Sequence, residues 1–145
     1  MNEANVRPAV IQDVANIHDL LLKRAAEIPL TAETLEQKEA LYAAIRKILA
    51  LGQSWVAVDQ STVVGAVLVG SAETGRHWGE NELLDIRYAA GDAIGALLGQ
   101  VLERNVPTTA IVREPNHSGL ADLLIGCGFR ETETRIGERR FRYEP

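Results

Sequence analysis

The chain has 145 residues, of which 46% are hydrophobic and 24% charged, and its formal net charge is −5. This length and composition are typical of one domain that buries its own core without disulfides or metal ions. The negative charge argues against binding along a nucleic-acid backbone. No apolar run approaches the roughly 20 residues that a membrane-spanning helix needs, so we expect no membrane segment.

The cysteine and histidine content argues against an internal disulfide and a metal site. The only cysteine, Cys127, cannot form an internal disulfide and cannot build a cysteine zinc site. His18, His77 and His117 lack the spacing of metal ligands, so we expect no metal. Residues 1–12 show neither the basic nor the apolar stretch of a signal peptide, and we therefore expect a cytoplasmic protein.

The first half of the chain predicts a strand, two helices and a hairpin. Asn5–Val10 is a short apolar strand, and Asp13 stands where the N-cap of the first helix belongs. Thr34 and Gln37 fit the capping-box pattern of a second helix, which ends at Gly52. Two β-branched runs then predict the hairpin, Ser54–Val58 and Thr62–Val69.

The second half predicts strands that alternate with helices. In chain order these are a strand at Glu82–Tyr88, a helix that follows Gly91, a strand at Thr108–Val112, a helix at Ser118–Gly126 and a closing strand at Thr132–Tyr143. The helix after Gly91 is indicated by the spacing of Ile94, Leu97, Leu98, Val101 and Leu102. The arginines of the closing segment alternate with glutamates, which predicts a solvated strand of mixed charge. No repeat or linker interrupts the pattern, so residues 1–145 are expected to form one domain with the order β-α-α-β-β-β-α-β-α-β.

This element order, together with three segments, resembles the GNAT superfamily of N-acetyltransferases. Val6–Ala9, followed by Asp13 and Ile17, is similar to the opening strand and first helix of the family. Asn81–Leu98 occupies the place of the coenzyme-binding segment, and Asn116–Phe129 resembles the last helix with its Gly-Phe ending. The resemblance spans nearly the whole chain. It implies an α/β (α+β) fold with a mixed central sheet, a splayed parallel strand pair and helices on both faces.

The resemblance also implies how acetyl-coenzyme A would bind as a cosubstrate. Glu82–Tyr88 and Thr108–Val112 would splay apart, so that the first strand offers its backbone to the amides of pantetheine. The next helix would direct its free N–H groups and positive dipole end at the pyrophosphate. The residues expected to bind the coenzyme are Ile86, Arg87 and Tyr88 for pantetheine, Gly91, Ala93, Ile94 and Gly95 for the pyrophosphate, and Asn116 beyond the second strand.

The pyrophosphate turn departs from the family pattern, which reads Arg or Gln, two residues, Gly, one residue, then Gly or Ala. With Gly95 at the last position, Ala90 stands at the basic position and Ala93 at the inner glycine. The β-carbon of an alanine hinders a phosphate and makes a positive φ costly. Asp92 is expected to cap the helix, where its carboxylate would compete with the pyrophosphate for N–H donors. We therefore expect weak binding of the coenzyme.

The catalytic positions also depart from the family. In many members a tyrosine five residues before the phenylalanine of Gly-Phe protonates the leaving thiolate, and here that position is Leu124. Tyr88 is the nearest substitute for this acid, and Glu82 or His117 would assist loss of the proton from the acceptor amine. Each has a structural alternative, namely a half-buried strand tyrosine, an ion-paired or solvated glutamate and an exposed histidine.

Other polar side chains have two interpretations as well. Asp85 is a second carboxylate beside the expected acyl group, but it shares a strand face with Arg87 and could simply pair with it. Asn116 and His117 match the coenzyme-contacting position of the family equally well. Cys127 has no base near it in sequence, so we expect it to be packed beneath the sheet.

Two functions fit these observations. The first is transfer of an acyl group, most simply acetyl, from acyl-coenzyme A to the amine of a small molecule or peptide. The second is a catalytically inactive module of the same fold that senses acyl-coenzyme A or binds a protein partner, for example a second copy in a homodimer. The altered turn and Leu124 favour the second function. Neither function predicts a nucleic-acid or membrane partner.

Overall fold

One mixed sheet organises the part of the chain that the computed structural model describes, residues 5–25, 32–71 and 83–145. The strands are β1 (Asn5–Pro8), β2 (Trp55–Asp59), β3 (Thr62–Ser71), β4 (Leu84–Gly91), β5 (Thr108–Arg113), β6 (Arg130–Arg135) and β7 (Glu138–Tyr143). Their order in the sheet is β1-β2-β3-β4-β5-β7-β6. The β4–β5 pair is parallel, and the other neighbours are antiparallel.

Within the described residues, four α-helices cover the two faces of this sheet: α1 (Val14–Lys23), α2 (Leu35–Leu49), α3 (Ile94–Leu102) and α4 (Leu120–Gly126). The α1–α2 cluster joins these helices to one face, and its fully buried side chains include Ile17, Leu21, Ile45 and Leu68. The α3–α4 cluster lies on the other face and includes Leu97, Leu98, Leu124 and Phe141. Burying each such side chain contributes about 1.5–3 kcal/mol. None of the helices within the described residues is long and apolar enough to cross a membrane.

The capping box predicted for the second helix is confirmed. The hydroxyl of Thr34 accepts a hydrogen bond from the Gln37 N–H at 3.1 Å, and the Gln37 side chain accepts one from the Thr34 N–H at 3.1 Å. These two bonds satisfy donors that the first turn of a helix leaves without partners. They fix the start of α2 at Leu35.

Asp13 stands at the N-cap position of α1, as the sequence predicted, but its side chain makes no capping hydrogen bond there. Residues Ile11–Asp13 form a 3₁₀ turn instead, and the buried carboxylate of Asp13 accepts a hydrogen bond from the Val10 N–H at 2.8 Å. Arg7 of β1 donates two hydrogen bonds to the same carboxylate, both at 2.8 Å. The Arg7 guanidinium therefore lowers the pKa of Asp13, against the opposing effect of burial.

The segment Thr132–Tyr143 is not the single closing strand that the sequence predicted. It forms the hairpin of β6 and β7, in which Gly137 at the turn adopts a positive φ of 80° that favours glycine. Only Ile136 and Gly137 separate the charged residues of β6 from those of β7, so the two strands resemble one charge-mixed segment in the sequence. The predicted charge-mixed surface is confirmed by ion pairs such as Arg139–Glu131 at 2.7 Å. Arg139 and Thr134 together lower the pKa of Glu131 to about 2.

Candidate functional site

β4 and β5 run side by side for only three residue pairs and then separate. The pairs are Leu84–Thr108, Asp85–Thr109 and Ile86–Ala110. Beyond them, β4 continues to Gly91 beside β3, and β5 continues to Arg113 beside β7. Within the described residues, 87–91 therefore present one backbone edge to an opening rather than to a strand. The predicted splayed pair is confirmed, although β4 extends three residues beyond its predicted end.

A β-bulge at Arg87 marks the start of this opening. In β3, Leu68 pairs with Tyr88 and the next residue, Val69, pairs with Ile86, so Arg87 is an extra residue without a partner across the strands. A bulge shifts the alternation of side chains along its strand. Consequently Ile86 and Ala89 both face the α3–α4 cluster, whereas Tyr88 packs against the α1–α2 cluster.

Tyr88 is the candidate acid that lies at the opening. It is two residues beyond Ile86, the last residue of β4 that pairs with β5. Its ring is half-buried, and its hydroxyl has no hydrogen-bond partner among the described residues. A hydroxyl in this position has the freedom that proton transfer to a bound molecule requires. The acid role of Tyr88 stays a prediction, and its half-buried ring agrees equally with the structural alternative.

Asp85 forms the ion pair that its position on the strand suggested. One carboxylate oxygen lies 2.9 Å from Nε of Arg87, and the other accepts a hydrogen bond from the Thr109 hydroxyl at 2.8 Å. Because Thr109 belongs to β5, this contact ties the two parallel strands together immediately before they separate. Both oxygens of Asp85 are thus engaged within the sheet.

A tight turn connects the opening to α3. Ala93 is the N-cap of α3 and has a positive φ of 62°, while Asp92, which the sequence predicted as the cap, precedes it. Asp92 is not the cap because β4 remains paired with β3 as far as Gly91, and the Asp92 N–H donates to the Val64 carbonyl at 2.7 Å. Gly91 has a φ of 92°, and any side chain there would collide with that same carbonyl.

The first turn of α3 offers backbone donors to an anion. The first N–H groups of a helix have no partner within it and carry its positive dipole end. A methyl group placed on Gly95 would meet only the Leu123 side chain, at 3.9 Å. By contrast, Ala90 is fully buried in the α1–α2 cluster and offers no side-chain donor.

Arg24 reaches this turn from the end of α1, and this contact was not predicted from the sequence. Its Nη2 lies 3.5 Å from Oδ1 of Asp92, although 68 residues separate the two along the chain. The Asp92 side chain is 67% exposed. The packing of α1 against β3 and β4 brings the Arg24 guanidinium to this turn, and that packing cannot be inferred from the spacing of residues along the chain.

Asn116 and His117 lie between β5 and α4. Since β4 and β5 are parallel, this segment follows the same end of the strand pair as the turn before α3. The side-chain oxygen of Asn116 accepts hydrogen bonds from the N–H and hydroxyl of Ser118, at 3.0 and 2.7 Å. Only the amide NH₂ of Asn116 remains for a ligand, and His117 is exposed. Glu82, the other candidate base, lies outside the described residues.

The last helix contributes no proton donor at the position where the family has tyrosine. Leu124 is fully buried in the α3–α4 cluster. Cys127 is half-buried against the same cluster, and burial raises the pKa of its thiol, which lowers its reactivity. The described residues contain no group of three or more His, Cys, Asp or Glu side chains that could hold a metal ion.

No family model matches the sequence, and no curated protein matches it. Solved structures do match over almost their full length. An agmatine N-acetyltransferase has a TM-score of 0.78 at 14% identity, covering 99% of this chain and 100% of that one. The PaiA N-acetyltransferase from Thermoplasma acidophilum, in complex with coenzyme A, has a TM-score of 0.71 at 12% identity and 100% coverage of both chains.

A GNAT-family acetyltransferase from Streptococcus agalactiae matches with a TM-score of 0.71 at 16% identity, covering 98% of this chain and 95% of that one. The chain therefore has the fold of the GNAT N-acetyltransferases. The fold predicted from the order of the elements is confirmed. At these identities the likeness establishes the fold, and the chemistry has to be argued from the site.

Proposed function

We propose that the chain is an N-acyltransferase that moves an acyl group, most simply acetyl, from acyl-coenzyme A to the amine of a small molecule or peptide. The observation that carries this proposal is the opening that begins after Ile86. Residues 87–91 offer a strand edge without a strand, and the two amides of pantetheine can pair with such an edge. The fold is also that of a solved acetyltransferase in complex with coenzyme A.

The turn before α3 fits the diphosphate of the coenzyme. It lies where the edge of β4 ends, and a β-carbon at Gly95 would make only an ordinary van der Waals contact, with Leu123 at 3.9 Å. Backbone N–H groups at a helix start bind phosphate without help from a side chain. Because Ala90 supplies no donor and Asp92 adds a negative charge, we expect weaker binding than a turn with its own basic residue would give.

The proposed chemistry needs two proton transfers. Acyl-coenzyme A supplies the acyl group activated as a thioester. The acceptor amine loses a proton to Glu82 or His117, and its nitrogen forms the new bond to the acyl carbon. The carbon–sulfur bond breaks, and the hydroxyl of Tyr88 gives its proton to the departing sulfur. Tyr88 has this role because Leu124 leaves α4 without a donor.

The second candidate function is a module that binds acyl-coenzyme A or a protein partner without turnover. Its supporting observation is the burial of Leu124, because an apolar core residue replaces the expected acid. In its coenzyme-binding form, the opening still holds acyl-coenzyme A, and another molecule recognises the bound state. This form shares the complex with the enzyme and differs from it in the release of free thiol.

The test combines calorimetry with a thiol-release assay. We expect wild-type protein to bind acetyl-coenzyme A saturably, and to release free coenzyme A when a panel of small amines and peptides is added. Gly95→Glu should abolish binding, because its carboxylate occupies the phosphate position, while Gly99→Glu, one turn later in open space, should not. Binding without thiol release from any amine would favour the second function. No binding by the wild type would overturn the first function and the coenzyme-binding form of the second.

A further inference from the structure

The turn between β4 and α3 has no cation of its own. Its residues from 90 to 95 are Ala, Gly, Asp, Ala, Ile and Gly, so that the only charged side chain is the carboxylate of Asp92. The diphosphate of a coenzyme is strongly anionic, and such groups are commonly held by a guanidinium through charge-assisted hydrogen bonds. If the turn holds a diphosphate, a cation from another element has to balance both negative groups.

Arg24 is placed to provide that cation. It is the C-cap residue of α1, and its side chain is 34% exposed, so the charged end lies at the surface beside the turn. The distance of 3.5 Å to Asp92 is long for an ion pair, and the Asp92 side chain is mostly exposed. Such a pair contributes little free energy, roughly 0–1 kcal/mol. A phosphate oxygen at the turn would therefore compete readily with Asp92 for the guanidinium.

We propose that Arg24 is a coenzyme-binding residue, which replaces from α1 the basic side chain that the turn lacks at Ala90. Asp92 holds the guanidinium beside the turn in the free protein, and the diphosphate takes the guanidinium over on binding. The inference rests on the proposed function. It adds to it the residue that determines recognition of the diphosphate.

The test compares ligands that differ in their phosphates. Calorimetry would measure the affinity of coenzyme A, dephospho-coenzyme A and pantetheine for the wild type and for Arg24→Gln. We expect Arg24→Gln to weaken binding of the first two ligands equally, by roughly tenfold or more, because one charge-assisted hydrogen bond is lost. Binding of pantetheine, which has no diphosphate, should not change. Arg24→Lys keeps the positive charge but loses the planar guanidinium with its paired N–H donors. Its affinity for coenzyme A should therefore lie between those of the wild type and Arg24→Gln.

Lys23→Gln is the matched control, because it removes the same charge one residue earlier in α1. It should leave the affinity for coenzyme A within about twofold of wild type, since Lys23 has no contact with the turn among the described residues. An equal loss in Lys23→Gln and Arg24→Gln would show a general effect of charge and overturn the inference. An unchanged affinity in Arg24→Gln would also overturn it. A wild type that binds none of the three ligands would overturn the proposed function first, and the inference with it.

A double-mutant cycle with Asp92→Asn tests the exchange itself. In the wild-type background this substitution should tighten binding of coenzyme A, since it removes both the competitor for Arg24 and a repulsive charge. In the Arg24→Gln background only the repulsion remains to be removed, so the gain should be smaller. Equal gains in both backgrounds would show that Asp92 does not hold Arg24 back. Thermal unfolding of each variant would confirm that it is folded.

Discussion

The hydroxyl of Tyr88 is the residue-scale feature on which turnover depends in the proposed function. Tyr88→Phe removes only this hydroxyl and keeps the ring against the α1–α2 cluster. A positioned proton donor contributes ~10²–10⁴-fold. We therefore expect kcat to fall about tenfold or more, with the affinity for acetyl-coenzyme A unchanged. Steady-state kinetics and calorimetry would measure the two quantities, and Tyr42→Phe, on the exposed face of α2, is the control. An unchanged kcat would exclude Tyr88 as the acid.

Ala93, in the turn between β4 and α3, carries backbone strain. A non-glycine residue in the left-handed region costs about 1–2 kcal/mol, and the φ of Ala93 is 62°. Ala93→Gly should therefore stabilise the protein by roughly 0.5–1 kcal/mol, after the greater chain entropy of glycine is subtracted. Denaturant unfolding would measure this. Ala96→Gly, three residues further and inside α3, should instead destabilise by about 1 kcal/mol. Destabilisation by both substitutions would contradict the strain at Ala93.

At the scale of elements, the contact between Arg7 and Asp13 joins β1 to the start of α1. Asp13→Asn should lower the free energy of unfolding at neutral pH by about 1–2 kcal/mol, a modest value because the Arg7 side chain is 43% exposed. The pKa of Asp13 is lowered in the folded state, so the contribution is complete above the unfolded value of about 3.9. It is lost as the pH falls through the lower folded value.

Urea unfolding of wild type and Asp13→Asn at several pH values would test this dependence. The difference between them should be constant near neutral pH and shrink below about pH 4. Asp19→Asn, at an exposed position of α1, is the control and should change stability by less than about 0.5 kcal/mol at every pH. A difference that grows on acidification would contradict the predicted sign.

Most elements were predictable because periodicity and caps are local. Thr34 with Gln37 fixed the start of α2, and the helical spacing of Ile94, Leu97, Leu98, Val101 and Leu102 located α3. The hairpin of β6 and β7 was missed because only Ile136 and Gly137 separate two charge-mixed runs of similar composition. Asp92 was misassigned as a cap because β4 pairs with β3 as far as Gly91, and strand pairing is not local.

At the scale of the whole molecule, the two halves of the sheet share one core. The α3–α4 cluster contains residues of β3 and β4 as well as Phe141 of β7 and Leu124 of α4. We therefore expect one cooperative unfolding transition. Far-ultraviolet circular dichroism follows all the strands, whereas both tryptophans, Trp55 and Trp78, precede β5 in the chain. Coincident transitions would confirm one unit. A dichroism phase without a fluorescence change would show that the half from β5 to β7 unfolds separately.

The candidate site was predictable only in part. The splaying of β4 from β5 was predicted through the resemblance to the GNAT superfamily, and the edge it exposes is formed by backbone, which side-chain substitutions hardly alter. The side chains around it were harder to predict, because Arg24 reaches Asp92 only through helix packing. The contacts of the two Asp85 oxygens with Arg87 and Thr109 likewise could not be predicted from the sequence. The same holds for the hydrogen bond that the Asn116 oxygen accepts from Ser118.

The edge of residues 87–91 has a further consequence for how occupancy can be observed. A backbone N–H that points into the opening exchanges its proton with solvent deuterium far faster than one held between two strands. When a ligand pairs with this edge, those amides become protected, as if a strand had been added. Deuterium uptake by a peptide covering β4 would thus report binding without any turnover. Uptake by β2, which has a partner on both sides, serves as the internal reference.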